Sequence, residues 1–220
     1  MLAASVSVTL AQQTSPLAAA VAATTAQKRV YAFDYDQQSS ATVAGSNTPV
    51  APVNWRAHFD PAGQAPHLHL VAPPHLEGGG LQIFNAVAQK MTGLSWCASP
   101  EMGGAQNLHL VREDAASAVY SFQPSAEMAG HGVPAQRLRG EMTVLKANPD
   151  ISEMHIALTQ PFSPIPFSNV NTLDIVIHCE VAPNGRRFAA STVTDFAGSA
   201  VGHAFTEHSV THTTNLTAAP

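Results

Sequence analysis

Ionic side chains are scarce in this chain. Asp, Glu, Lys and Arg make up 11% of its 220 residues, against roughly 25% in an average soluble protein. Lysine is reduced to Lys28, Lys90 and Lys146, and the net charge is −5 with neutral histidine. Phosphate neutralisation needs clustered Lys and Arg. Arg186-Arg187 is an adjacent pair, and Arg137 with Arg139 is a looser one. Strong nucleic-acid binding by this chain is therefore not expected. No apolar run reaches the ~18 residues that span a bilayer as a helix, so no transmembrane segment is expected. No Gly-x-Ser-x-Gly elbow occurs. Gly78-Gly79-Gly80 lacks the preceding strand and the Lys or Ser/Thr of a phosphate loop, and reads as a flexible connection. Glu113-Asp114 would point to opposite faces of a strand and form no catalytic pair. The expectation is a protein that is not an enzyme and carries no cofactor.

Ser, Thr, Asn, Gln and sixteen Pro take the place of the missing charge. A secreted monomer can carry such a neutral polar surface. So can an assembly subunit, because interface cores are depleted in charge.

Short alternating segments dominate the pattern. Strands are predicted over 29–36, 53–59, 67–72, 107–111, 119–122, 138–146, 154–159, 173–181, 186–194 and 203–216. Loops are predicted over 37–52 and 123–134. In 173–181, Leu173, Ile175, Ile177 and Cys179 alternate with Asp174, Val176, His178 and Glu180. A period of two marks a half-buried strand. Pro183-Asn184-Gly185 then turns the chain into the next strand. Pro161, Pro164 and Pro166 exclude a central strand there. One helix is predicted over 81–91, where Leu81, Phe84, Val87, Ala88 and Met91 recur at helical steps and Gly93 follows. Many strands without βαβ alternation indicate an all-β antiparallel fold.

Residues 165–198 carry a more specific pattern: Ile165-Pro166-Phe167, Asn171, the strand 173–181, Pro183 to Gly185, Ser191-Thr192-Val193-Thr194 and Asp195-Phe196-Ala197-Gly198. This block resembles the C-terminal region of jelly-roll capsid proteins of picorna-like viruses. The resemblance implies a single jelly-roll, a two-sheet antiparallel sandwich over 29–220, preceded by an extended N-terminal arm over 1–28. It also implies a structural virion subunit, assembled in the host cytoplasm with copies of itself or homologous capsid subunits into an icosahedral shell. Histidines at such contacts would charge below about pH 6.5 and loosen them.

Two other readings remain open. Residues 1–27 are apolar and Ala-rich but have no basic residue before Lys28, which a secretory signal needs. A truncated signal would make the chain a secreted or periplasmic β-sandwich binding module. Alternatively, the eleven histidines could serve a metal protein. His67 and His69 share one strand face at a spacing suited to Zn²⁺ or Cu²⁺, with His75 and Glu77 nearby. His203, His208 and His212 form a second, looser group. Cys97 and Cys179 allow one disulfide, but Cys179 falls on the inward side of its strand and the expectation is a reduced, buried pair. Trp55, with Ala57 and Phe59, reads as core. Asn215-Leu216-Thr217 is a glycosylation sequon.

Overall fold

A computed structural model describes residues 15–27, 29–45, 50–65, 67–100, 102, 105–125 and 133–219. The described chain is mostly antiparallel β-sheet. Its elements are α1 (Pro16–Ala26), β1 (Tyr31–Val43), β2 (Val53–Phe59), β3 (Leu68–Ala72), α2 (Gly78–Lys90), β4 (Gln106–Glu113), β5 (Ser117–Gln123), β6 (Leu138–Leu145), β7 (Asp150–Leu158), β8 (Ser168–Val181), β9 (Arg187–Ala200) and β10 (His203–Ala218).

All ten strands belong to one hydrogen-bonded sheet in the order β3-β2-β1-β10-β9-β8-β7-β6-β5-β4. Every neighbouring pair but β1–β10 is consecutive in the chain. The expected jelly roll would divide its strands between two sheets and interleave distant ones, so the observed strand order differs from that expectation. The local cause is turn chemistry. Gly185 and Gly202 adopt φ of +82° and +83° between β8 and β9 and between β9 and β10, and such tight turns return the chain beside itself.

The alternation read in the sequence sets the buried face. Met142, Val144, Met154, Ile156 and Cys179 build one core over β5–β8, with Leu173, Ile175 and Ile177 packed against it. Phe33, Trp55, Ala57, Phe59 and Leu68 build a second core over β1–β3. Trp55 is 3% exposed, as its place in the pattern predicts.

Four expectations are corrected. First, the segment 37–52 is not all loop, because β1 runs on to Val43 and pairs with β10. Second, there are two helices among the described residues rather than one. Third, the extended arm over 1–28 is in part α1. Residues 1–14 and Lys28 lie outside the described residues. Ser15 caps α1 by accepting from the Ala18 N–H, Pro16 occupies the first turn, and Leu17, Ala20 and Thr24 are buried on one side. Those three sit at helical spacing and place the helix against β6 and β7. Fourth, Cys97 and Cys179 form a disulfide with their Cα atoms 6.3 Å apart.

The disulfide follows from a topological need. β3 and β4 are opposite edges of the sheet, so residues 73–105 must travel between them. They begin with α2, whose Phe84 packs edge-on against Trp55 at 5.2 Å. Trp96 then bridges to Phe188 of β9. Cys97 is tied to Cys179 of β8, and Ala98 and Met102 enter the core over β5–β8. The bond pins the part of this connection that follows α2.

Candidate functional site

Three short stretches converge beside this connection. Gln27 caps the end of α1 and clamps Arg29: its Nε2 donates to the Arg29 carbonyl at 2.9 Å, and its Oε1 accepts from the Arg29 N–H at 2.7 Å. α2 ends at Lys90, with the Met91 N–H bonded to the Val87 carbonyl. The segment after α2 is held on β9 by two backbone bonds, Ala189 N–H to the Ser95 carbonyl and Cys97 N–H to the Arg187 carbonyl. The result is an open cavity of about 850 Å³ between α2, the end of α1, the start of β1 and residues 91–100.

Its wall is largely apolar: Tyr31, Ile83, Val87, Met91, Leu94 and Trp96 all line it. The Tyr31 and Trp96 rings meet edge to face, 6.0 Å between centres. Tyr31 is buried, and its hydroxyl has no hydrogen-bond partner among the described residues. Among the described residues, the charged groups on the wall are Arg29 and Lys90, and no Asp or Glu lines it. Neither cation forms an ion pair with a described carboxylate. An apolar concavity with a few convergent polar groups is the usual form of a small-molecule site. Trp96 and the apolar face of α2 were legible in the sequence, but their meeting with Arg29 and Tyr31 was not.

The histidines are placed elsewhere. His67 is tilted against the Phe59 ring, 5.8 Å between centres, with its Nδ1 3.1 Å from the Asp60 carbonyl oxygen. His69 is exposed on β3, in register with His58 of β2. His75 is exposed, and Glu77 precedes α2 without making a side-chain cap. No group of three potential metal ligands assembles among the described residues. His208 instead bonds Asp195 at 2.8 Å, and His155 bonds Asp174 at 2.8 Å. Asp174 and Asp195 are direct cross-strand partners. Two carboxylates so placed repel, and each has its own imidazole beside it. His58 with Asp34 and His178 with Glu153 are further pairs of this kind. The histidine count thus reflects, in good part, local partners for carboxylates.

The remaining candidates have structural surroundings. His212 is exposed on β10, and the His203 Nδ1 lies 3.4 Å from the Ala44 carbonyl oxygen. Asn215 sits at a bulge in β10 with φ of +55°, and its Nδ2 donates to Asp34 at 2.8 Å. Arg186 contacts Asp150 at 3.6 Å and donates to Asn148 at 2.7 Å. Asp150 is buried and accepts from the Ile151 and Arg187 N–H groups. Burial pushes its carboxyl above the ordinary value, against those bonds. No helix among the described residues is long and apolar enough to cross a membrane.

No protein-family model matches this chain, and no curated protein or solved structure matches it either.

Proposed function

We propose that this chain is the binding module of an exported protein and takes a small organic ligand into the cavity beside α2. One observation carries the reading: an apolar concavity of about 850 Å³ whose far wall is fastened to the sheet. The buried disulfide supports export, because such bonds persist in oxidising compartments. Binding, not catalysis, is the activity. Among the described residues, the cavity wall brings two cations to an apolar surface and no carboxylate, histidine or cysteine. Titration with the neutral fluorophore N-phenyl-1-naphthylamine tests the reading. Saturable one-site binding is expected, and Ala86→Phe, which fills the space from the exposed side of α2, should abolish it. Absence of saturable binding, or binding unchanged in that variant, refutes it.

A second reading, the self-assembling virion subunit, is supported by one patch. Ile165, Phe167 and Val201 are 66%, 87% and 80% exposed, and all lie in or just beyond the stretch that resembles capsid proteins. Phe167 and Val201 adopt φ of +62° and +50°, and the Val201 N–H donates to the Phe167 carbonyl at 2.8 Å. Left-handed backbone at a bulky residue is strained, and here it presents apolar side chains to solvent. A second copy of the chain is the occupant this reading requires. Sedimentation velocity should then show concentration-dependent association that Phe167→Ser removes; a monomer at all concentrations rejects it.

A further inference from the structure

We propose that the ligand of this cavity is an amphipathic anion, its apolar body among Tyr31, Ile83, Leu94 and Trp96 and its acidic head against Arg29 and Lys90. This rests on the binding reading above and names its ligand class.

The argument is one of charge placement. The whole chain has ten Lys and Arg against fifteen Asp and Glu, so its average field repels anions. Yet two of those ten cations line one cavity, and among the described residues no carboxylate does. Neither is committed to an ion pair among the described residues. Lys90 gains something from its place at the C-terminal end of α2, where positive charge is favoured. Arg29 lies beyond the last turn of α1, where that effect has fallen off. The Gln27 clamp fixes its backbone on both sides, which limits where the guanidinium can swing. A guanidinium is well matched to carboxylate, sulfonate or phosphate oxygens. Arg29 also borders a neighbouring hollow with Arg186 and Asn184, so the polar rim continues away from the apolar floor. Apolar walls with a cationic rim accept a molecule with those two ends.

The test uses three molecules with one ten-carbon chain: decanoate, 1-decanol and decyltrimethylammonium. Each is titrated calorimetrically into the full, disulfide-bonded chain, with the combined emission of Trp55 and Trp96 as a second readout. Decanoate is expected to bind roughly tenfold more tightly than 1-decanol, the worth of a hydrogen bond to a charged group. The cation should bind weakest, and added salt should weaken decanoate alone. In Arg29→Gln/Lys90→Gln the preference should vanish while 1-decanol binds as before. Both side chains are exposed, so circular dichroism should show an unchanged fold. Equal binding of decanoate and 1-decanol overturns the anion assignment and leaves the cavity reading standing. A preference that survives the double variant overturns the assignment to Arg29 and Lys90. Silence from all three molecules and from N-phenyl-1-naphthylamine removes both readings together.

Discussion

Removing the Cys97–Cys179 bond is the sharpest perturbation this fold offers. The two residues are 82 apart in the chain. Closing a loop of that length restricts the unfolded chain by about 4.5 kcal/mol in the chain-entropy estimate. A domain's whole stability is roughly 5–15 kcal/mol, so the bond accounts for a large share. The native state adds its own term. Cys97 and Cys179 are 1% and 5% exposed, and the crossing segment beside them is otherwise held by a few backbone bonds and the Trp96–Phe188 bridge. The double variant Cys97→Ala/Cys179→Ala should therefore lose about 4–5 kcal/mol in urea unfolding. Its m value should rise, because an uncrosslinked unfolded chain exposes more surface. Thermal unfolding should fall by about 10–15 °C for a chain of this size. Binding of the neutral fluorophore should weaken too, since the bond anchors one cavity wall. A double variant within about 1 kcal/mol of the parent, with the same m value, refutes the reasoning. Free thiols detected in the denatured, unreduced parent would refute its premise.

Packing and charge set the remaining expectations. Gly140 lies opposite Phe122 across β5 and β6, and a Cβ there would come within 2.2 Å of the buried ring; Gly140→Ala should cost about 1–3 kcal/mol in urea unfolding, whereas Gly79→Ala in α2, with open space around it, should gain up to about 1 kcal/mol. Tyr31→Phe removes a buried hydroxyl without a partner among the described residues, so stability should stay level or rise by about 1 kcal/mol; a loss of that size would show the hydroxyl to be bonded. Asp34 is held below its ordinary value of 3.8 by the Asn215 hydrogen bond first and by His58 second. Its contribution is present above pH 3.8 and disappears as pH falls through the lower folded value. Asp34→Asn should flatten that part of the acid limb in urea midpoints measured on both sides of pH 3.8. Burial gives Asp150 the opposite sign: its contribution declines as pH rises from 3.8 through the raised value.

Strand identity was written locally and could be read. Leu173, Ile175 and Ile177 against Asp174, Val176 and His178 give a period of two whatever the partner strand. The same holds for Trp55, Ala57 and Phe59, which the core of β1–β3 buries as expected. Gly185 marks its turn because only a few residue types accept a positive φ cheaply. The helix over Leu81, Phe84, Val87 and Ala88 was equally visible, although the three glycines before Leu81 join it. Local pattern was silent on α1. Its Ala-rich stretch has almost no contrast between faces, and Leu17, Ala20 and Thr24 become a buried side only where β6 and β7 meet them.

The sequence by itself determined an antiparallel β protein with little charge, a buried Cys179 and a helix between the third and fourth strands. Tertiary structure decided how those strands are ordered, because ladders join residues as distant as Tyr31 and Ala218 and no local pattern encodes such a pairing. It also decided the oxidation of Cys97 and Cys179, which depends on 82 intervening residues bringing two Cα atoms to 6.3 Å. The cavity is of the same kind. Arg29, Tyr31, Lys90 and Trp96 share no motif, and they meet only because the crossing segment passes the start of β1.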